Sequence, residues 1–420
     1  MDLRTLHAEV VGFLERKTGR SLAQLGPDTN FVQEGLVDSM LFMELFAFVE
    51  RLIGQEIPTQ DFRMDRFDTV RKIHENHLSG ARGAEPGGPP SQPRGERPVA
   101  ALQAVGAEPL ITGLAYRVGE SLPLSRLEEL GVEPDVLEVL MAGGLELYSR
   151  SQESAAELAR ECIRETLERT GCAPGEVDAV LFANESTWTG AEVGPDKAED
   201  LRRSVYRALG ELGLVRAFPL GLGLSGCANM LAGMAMARGM IATTGLRHVL
   251  VVGSDRKDDR QRLIPPAVGV ISDGAASCLV SAEATSGFAV EAFCQHANLA
   301  LHAQDLSKDF GLYLLELGRS VKALAARMRT LAGRGPEEYR RLVVNNYGLS
   351  TTRMFTQQLG FRLDQLYKKN VARLSHVAAA DVAINLADLE AAGELKEGDR
   401  LMTFASGPVS WTMAALLKVG

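Results

Sequence analysis

Apolar positions in the first 79 residues recur at helical spacing over residues 6–18, 40–53 and 69–77, and no alternating stretch there reads as a strand. The spacing predicts an all-α helical bundle over 1–79. Its first helix is expected to stop near Gly19. Its second is expected to start at Asp38 and Ser39, where aspartate is a favoured capping residue. From residue 80 the apolar rhythm ceases and Pro and Gly dominate, which marks 80–104 as a linker. Its Pro/Gly-rich part, 80–98, is a flexible chain of about 19 residues that spans about 25 Å, enough for one domain to visit the active site of another. Beyond it, short β-branched or leucine-rich runs at 179–182, 249–253, 276–280, 342–344 and 401–404 read as buried strands. Helical stretches such as 151–170 and 230–243 lie between them, so the pattern predicts an α/β architecture with helices covering a sheet.

Composition narrows the function classes. The chain has 420 residues with 45% hydrophobic content, enough for two or three domains with large cores. Its formal net charge of −9, with no prominent Lys/Arg cluster, argues against nucleic acid as a partner. The five cysteines are odd in number and have no metal-ligand spacing, so neither a disulfide framework nor a metal site is expected. No run of 18 apolar residues occurs and the amino terminus has no apolar leader. A cytoplasmic protein with no membrane partner is the expectation.

Three stretches carry the signature of the first domain. Gly35-Leu-Val-Asp-Ser-Met-Leu-Phe-Met-Glu-Leu45, followed by Gly54-Gln-Glu-Ile-Pro58 and Phe67-Asp-Thr-Val-Arg-Lys-Ile73, resembles the acyl carrier protein family over nearly all of 1–79. The resemblance implies that Ser39, beside Asp38, carries 4'-phosphopantetheine attached by a separate phosphopantetheinyl transferase. A helix N-terminus at Ser39 suits the phosphodiester, because the helix dipole favours negative charge there. The resemblance also implies that Glu44 and Glu50 face partner enzymes, one of them an acyl-loading enzyme. The Gly-Leu-Val-Asp-Ser-Met wording is similar to carriers of amino acids or small hydroxy acids.

In the larger domain, Gly221-Leu-Gly-Leu-Ser-Gly-Cys-Ala-Asn-Met-Leu231 places Cys227 between a glycine-rich turn and a helix of small residues. A thiol at a helix N-terminus has a lowered pKa, and the N–H groups there can hold an oxyanion. A cysteine in such a turn is equally suited to plain core packing. The following His248-Val-Leu-Val-Val-Gly-Ser-Asp255 and Ile271-Ser-Asp-Gly-Ala-Ala-Ser-Cys-Leu-Val280 stand at the spacing of thiolase-fold condensing enzymes. Residues 108–420 resemble β-ketoacyl synthase III and its acyltransferase relatives. That resemblance implies a duplicated thiolase-like fold with halves at 105–285 and 286–420, a homodimer, and Cys227 as nucleophile.

The family's other catalytic positions are changed. The family's histidine motif reads Val343-Val-Asn-Asn-Tyr-Gly348, which puts Asn345 in the histidine position. The asparagine motif reads Ser375-His-Val-Ala-Ala-Ala380, which puts His376 in the asparagine position. Either side chain can donate to a thioester carbonyl, but only histidine exchanges a proton near neutral pH. The loop Phe404-Ala-Ser-Gly-Pro-Val-Ser-Trp411 resembles the family's oxyanion loop, with the Gly407 N–H as second donor beside that of Cys227.

His296 comes too early for a catalytic role, and His74 and His77 are expected to be solvated on the last carrier helix. The stretch Met141-Ala-Gly-Gly-Leu-Glu-Leu-Tyr148 lacks the arginine signature of relatives that use coenzyme A. A fused carrier instead raises pantetheine thioester to about millimolar local concentration. The expected activity is condensation of an acyl-Cys227 with a carrier-bound acyl thioester. The alternatives are acyl transfer to an amine, hydroxyl or thiol with His376 as base, or a noncatalytic carrier scaffold.

Overall fold

The computed structural model describes residues 1–37, 39–54, 57, 66–78, 108–185, 197–265, 267–303 and 306–420. The linker expected at 80–104 lies outside the described residues. The chain divides into two compact units, Met1–Ala101 with Ala303–Arg319, and Leu102–His302 with Ser320–Gly420.

In the first unit, α1 (Leu3–Thr18), α2 (Ser39–Ile53) and α3 (Val70–His77) form the expected bundle. Asp2 caps α1 by accepting the Thr5 N–H, and Gly19 ends it at φ 68°, a left-handed conformation that costs glycine least. Thr69 caps α3 through the Lys72 N–H. Leu6, Val10, Phe31, Phe42, Phe46, Val49, Phe67 and Ile73 bury almost completely into one core. Three expectations are corrected here. Glu50 turns back to accept the Ile57 N–H at 2.9 Å and lies 3.6 Å from Arg319 of the same unit, so it is not a free partner-facing charge. Glu44 pairs with Lys17. His77 is half-buried and stacked on Phe67 at 4.6 Å rather than solvated, because its ring completes the aromatic packing.

The second unit begins with β1 (Leu110–Val118), β2 (Glu120–Pro123), α4 (Pro134–Ala142), β3 (Leu147–Arg150), α5 (Ala155–Thr170), β4 (Ala179–Ala183), α6 (Lys197–Glu211) and β5 (Phe218–Leu222). It continues with α7 (Asn229–Thr244), β6 (His248–Asp255), β7 (Leu263–Ile264), β8 (Gly269–Val270), β9 (Gly274–Ser281) and β10 (Gly287–Ala297). Helix α8 (Leu306–Ala332) follows, its residues up to Arg319 counted in the first unit and the rest in the second. The last elements are β11 (Arg341–Val343), α9 (Leu349–Leu359), β12 (Leu366–Tyr367), α10 (Lys369–Leu374), α11 (Asp381–Ala391), β13 (Arg400–Ser406) and β14 (Ser410–Val419).

The main sheet runs β12-β11-β13-β14-β10-β1-β9-β6-β4-β5. Strand β4 lies parallel between β5 and β6, and β9 and β1 continue antiparallel. The other half repeats this, with β11 parallel between β12 and β13, then β14 and β10 antiparallel. The halves join at a short β1–β10 pairing. This is the duplicated α/β arrangement expected from the sequence. The central β6 and β9 are buried along their whole length, which explains their predominantly apolar and small residues. Helix α7 packs on them through Met230, Leu231, Met234 and Ile241. Among the described residues no helix is long and apolar enough to cross a membrane.

A buried ion pair fixes the end of β9. Arg262 donates to both carboxylate oxygens of Asp273 at 3.0 and 2.9 Å, and the N–H groups of Ser151 and Lys257 complete the set. Arg262 is 2% exposed and Asp273 0%. Arg262→Met is expected to destabilise the unit by roughly 3–5 kcal/mol, since it strands a buried carboxylate. Denaturant unfolding of the variant against the parent measures this.

Candidate active site

The nucleophile position is built by a tight backbone approach. Cys227 sits in the short turn Gly226–Ala228 that leads into α7. Gly226 has φ 54°, and a Cβ there would lie 2.8 Å from Pro408 Cδ. A Cβ on Gly407 would lie 2.2 Å from the Ser225 carbonyl oxygen. Both positions exclude a side chain, which is how the β13–β14 turn is held against the Cys227 turn. Asn229 steadies the same turn, accepting the Ser225 N–H at 3.1 Å and donating to the Asn184 carbonyl at 2.7 Å.

The Cys227 Sγ lies 3.0 Å from His376 Nε2 and 2.8 Å from Glu185 Oε2, to which the thiol donates. His376 Nδ1 lies 2.5 Å from Asp381 Oδ2. The Asp381 carboxylate also accepts the N–H groups of Val377 at 2.7 Å and Asn346 at 2.8 Å, and the Asn346 side-chain amide at 3.1 Å. Thiol, imidazole and carboxylate thus stand in a row. Glu185 follows β4 and is aimed by Asp255, which accepts its N–H at 3.1 Å; Lys257 lies 3.7 Å from its carboxylate. Tyr347 donates to the Ser406 carbonyl at 2.9 Å and packs against the His376 ring at 4.6 Å.

The charges follow from burial and proximity. Burial, reinforced by the Glu185 carboxylate, pushes the Cys227 thiol up to about 11. This corrects the expected lowering by the helix N-terminus: desolvation of a fully enclosed thiol and a carboxylate in contact outweigh the helix dipole. Burial alone would lower the His376 imidazole, but Asp381 and Cys227 hold it well above its ordinary range. Burial would raise Glu185, yet the His376 ring and Lys257 hold it down at about 2. Burial, then Cys227 and Glu185, push the Tyr347 phenol well above its ordinary value, so it remains a neutral donor.

Glu185 therefore stabilises the fold above its unfolded value near 4.5, and that contribution is lost as pH falls towards 2. Glu185→Gln is expected to flatten the pH dependence of unfolding free energy between those limits. Denaturant midpoints across that range test it.

The structure thus brings Cys227 and His376 together, as the sequence suggested. Asn345 is buried and accepts the Ser406 N–H at 2.8 Å through Oδ1; among the described residues its Nδ2 has no hydrogen-bond partner. The Gly407 N–H is used by the Ser410 carbonyl at 2.8 Å, so the expected second oxyanion donor is occupied by the hairpin turn. His296 lies on β10, stacked at 6.0 Å on Trp411. Glu185, Asp381 and Tyr347 were not singled out from the sequence. A signal existed for Asp381, the first polar residue after Val377-Ala-Ala-Ala380 at the start of a buried helix. Glu185, Cys227 and His376 also present ligand atoms within 4.8 Å of one another, a set that can hold a metal ion.

In the first unit, Ser39 is the first residue of α2, while its side chain and Asp38 lie outside the described residues. The start of a 15-residue helix fits a phosphodiester, whose charge the helix dipole favours there.

Fold and site together define a thiolase-fold protein of the acyl-transferring and condensing class, joined to a helical carrier. The comparisons specify it further. The model of the phosphopantetheine attachment site family matches residues 8–75. The chain is 30% identical over 73 residues to D-alanyl carrier protein 1 of Lactiplantibacillus plantarum, covering 17% of this chain and 90% of that protein. It is 25% identical over 280 residues to β-ketoacyl-[acyl-carrier-protein] synthase III 2 of Deinococcus radiodurans, covering 60% of this chain and 78% of that protein. A solved structure described as the acyltransferase ChlB3 superposes with a TM-score of 0.63 at 17% identity, covering 74% of this chain and 98% of the other. The chain belongs through its first domain to the phosphopantetheine-binding carrier family, and carries behind it a ketosynthase III-like thiolase-fold region. It bears a covalent 4'-phosphopantetheine, which implies a phosphopantetheinyl transferase and acyl thioester substrates.

Proposed function

We propose that this protein is a carrier-fused acyltransferase that passes an acyl group through Cys227 to an amine, hydroxyl or thiol acceptor. The observation that carries the reading is the line Cys227–His376–Asp381, with Nε2 3.0 Å from the thiol and Nδ1 2.5 Å from the carboxylate. Such a line serves proton transfer. Decarboxylative condensation needs only two donors at a carbonyl, and an imidazole held strongly basic by a buried carboxylate exceeds that need.

The 4'-phosphopantetheine would be held on Ser39, supplying a flexible thiol that presents the acyl group as a thioester. Cys227 sulfur attacks the thioester carbonyl carbon while Nε2 of the neutral imidazole takes the thiol proton. The tetrahedral oxyanion faces the Cys227 N–H. The carbon–sulfur bond to the arm breaks, and Nε2 returns the proton to the leaving thiolate. An acceptor then attacks acyl-Cys227, gives its proton to Nε2, and Cys227 leaves as the thiolate that regains that proton. Asp381 keeps Nδ1 protonated throughout, so Nε2 is the nitrogen that accepts. Because the imidazole titrates above its ordinary range, acyl loading is expected to rise with pH beyond 6.5.

The likeness to a D-alanyl carrier protein supports a small amino-acyl or hydroxy-acyl cargo, brought by a separate loading enzyme. A homodimer is part of this reading. Strand β5 is the sheet's edge, Phe218 on it is 64% exposed, and Leu224 three residues before the nucleophile is fully exposed. An edge of that kind invites pairing with a second copy.

Condensation is the second reading, favoured by the buried Asn345 Nδ2, which has no hydrogen-bond partner among the described residues and is a donor suited to an enolate oxygen. Peptide-resolved mass spectrometry of holo-protein offered acyl and malonyl thioesters separates the readings. Acyl mass on Ser39 and Cys227 with an acylated acceptor and no carbon dioxide supports transfer. Carbon dioxide release with a chain-extended product supports condensation. A loaded Ser39 beside a permanently bare Cys227 overturns both and leaves a scaffold.

A further inference from the structure

A ladder of buried amides leads from the surface of the second unit to the catalytic carboxylate. Asp381, Asn385 and Asp388 share one face of α11 at helical spacing. At the outer end, the half-exposed Arg373 donates to Asn370 Oδ1 through Nε at 3.1 Å and Nη2 at 2.8 Å. Asn370 Nδ2 donates to Asn385 Oδ1 at 2.8 Å. Asn385 Nδ2 donates to Asn346 Oδ1 at 3.0 Å, and Asn346 Nδ2 to Asp381 Oδ1 at 3.1 Å. Asn370, Asn385 and Asn346 are each no more than 1% exposed. Every bond points the same way, from the guanidinium cation towards the carboxylate anion.

Such alignment has a physical consequence. Donors in series polarise one another, so each amide oxygen that accepts makes its own N–H a stronger donor to the next group. Water would reach the same groups in any orientation, whereas here burial fixes a single one. Asp388 anchors the outer end, accepting from Asn370 at 2.7 Å, from Arg373 at 2.5 Å and from Tyr116 at 2.8 Å. The inner end meets the carboxylate oxygen opposite the one that holds His376. Asn385 also donates to the Val344 carbonyl at 3.0 Å, tying the ladder to the strand exit that carries Asn345 and Tyr347.

We infer that Arg373, Asn370, Asn385 and Asn346 form a one-way donor ladder that orients Asp381, and through it His376, for acyl transfer. This deepens the acyl-transfer reading and rests on it. The four are positioning residues: none touches the thiol or the imidazole nitrogen that faces it. Arg373 acts from the surface, so a change there alters the ladder without cutting into the core.

The test uses full-length holo-protein and two variants, Arg373→Met and Asn385→Leu. The second is close in volume and removes both amide functions. Acyl transfer is expected to fall about 3- to 10-fold in Arg373→Met and at least about 10-fold in Asn385→Leu. A merely structural role would also slow a destabilised enzyme, so the deciding readout is spectroscopic. The proton on His376 Nδ1 gives a far-downfield nuclear magnetic resonance line, assigned by its loss in His376→Asn. It is expected to move or broaden in both variants while the melting temperature of Arg373→Met stays at the parent value. A line unmoved in both variants overturns the ladder whatever the rates. A moved line with transfer at the parental rate overturns its part in the reaction. If Cys227→Ala transfers acyl groups normally, the acyl-transfer reading itself fails. The resonance comparison then still decides whether the ladder holds His376.

Discussion

Cys227→Ala is expected to abolish covalent acyl loading of the larger unit and to lower the proposed acyl transfer by about 10⁶-fold. Under the proposed reading its sulfur, among the described residues of the site, is the atom that forms the acyl intermediate. Glu185 lies in contact with it but is held ionised at about 2 and hydrogen-bonded, and His376 has Nδ1 committed to Asp381. Without the thiol, Glu185 keeps Lys257 and His376 at 3.7 Å, so the fold is not expected to suffer. The alanine variant should load Ser39 as before while remaining bare at position 227. Mass spectrometry of both peptides after incubation with an acyl thioester checks this. Parental product formation by Cys227→Ala would eliminate every catalytic reading proposed for the site.

Asp381→Asn is expected to lower transfer by about 10⁴-fold, the loss that accompanies exchange of a triad carboxylate for an amide. The reason lies in proton placement. Asp381 accepts from His376 Nδ1, Val377 N and both nitrogens of Asn346. An amide there turns one acceptor into a donor. With its oxygen kept on Val377, its NH₂ faces His376 Nδ1 and forces the hydrogen to Nε2, the nitrogen that must accept the thiol proton. It also meets the Asn346 N–H, leaving a buried donor unsatisfied at about 1–3 kcal/mol. The imidazole loses the larger of the two charges that raise it, so its titration moves down from its raised position. Transfer measured against pH should therefore drop throughout and shift its limb to lower pH. A variant with a parental rate and limb would remove Asp381 from the mechanism.

Much of the architecture was legible because its determinants are local. Helix α1 ends at Gly19 and α7 spans Asn229–Thr244, close to the stretches read from periodicity. Strands β6 and β9 extend one or two residues past their apolar runs, since sheet pairing recruits flanking polar residues such as His248 and Ser281. The exchange of histidine and asparagine was also visible as motif wording. Its meaning was not, because the carboxylate behind His376 stands five residues on, in a run that reads as plain apolar helix.

By itself the sequence determined a helical carrier with a serine at a helix start, a Pro/Gly-rich join, and an α/β domain with Cys227 in a glycine turn. These rest on periodicity, turn residues and short motifs, all of which act over a few neighbouring positions. Only the tertiary structure decided what surrounds the thiol. Glu185 comes from the end of β4, Tyr347 from the segment after β11, and His376 with Asp381 from the turn into α11. Their meeting depends on strands distant in sequence being paired in one sheet, and the same enclosure reverses the sign of the thiol's expected pKa shift. Protonation in a buried cluster is set by desolvation and by charges arriving from elsewhere in the chain, and no local pattern encodes either.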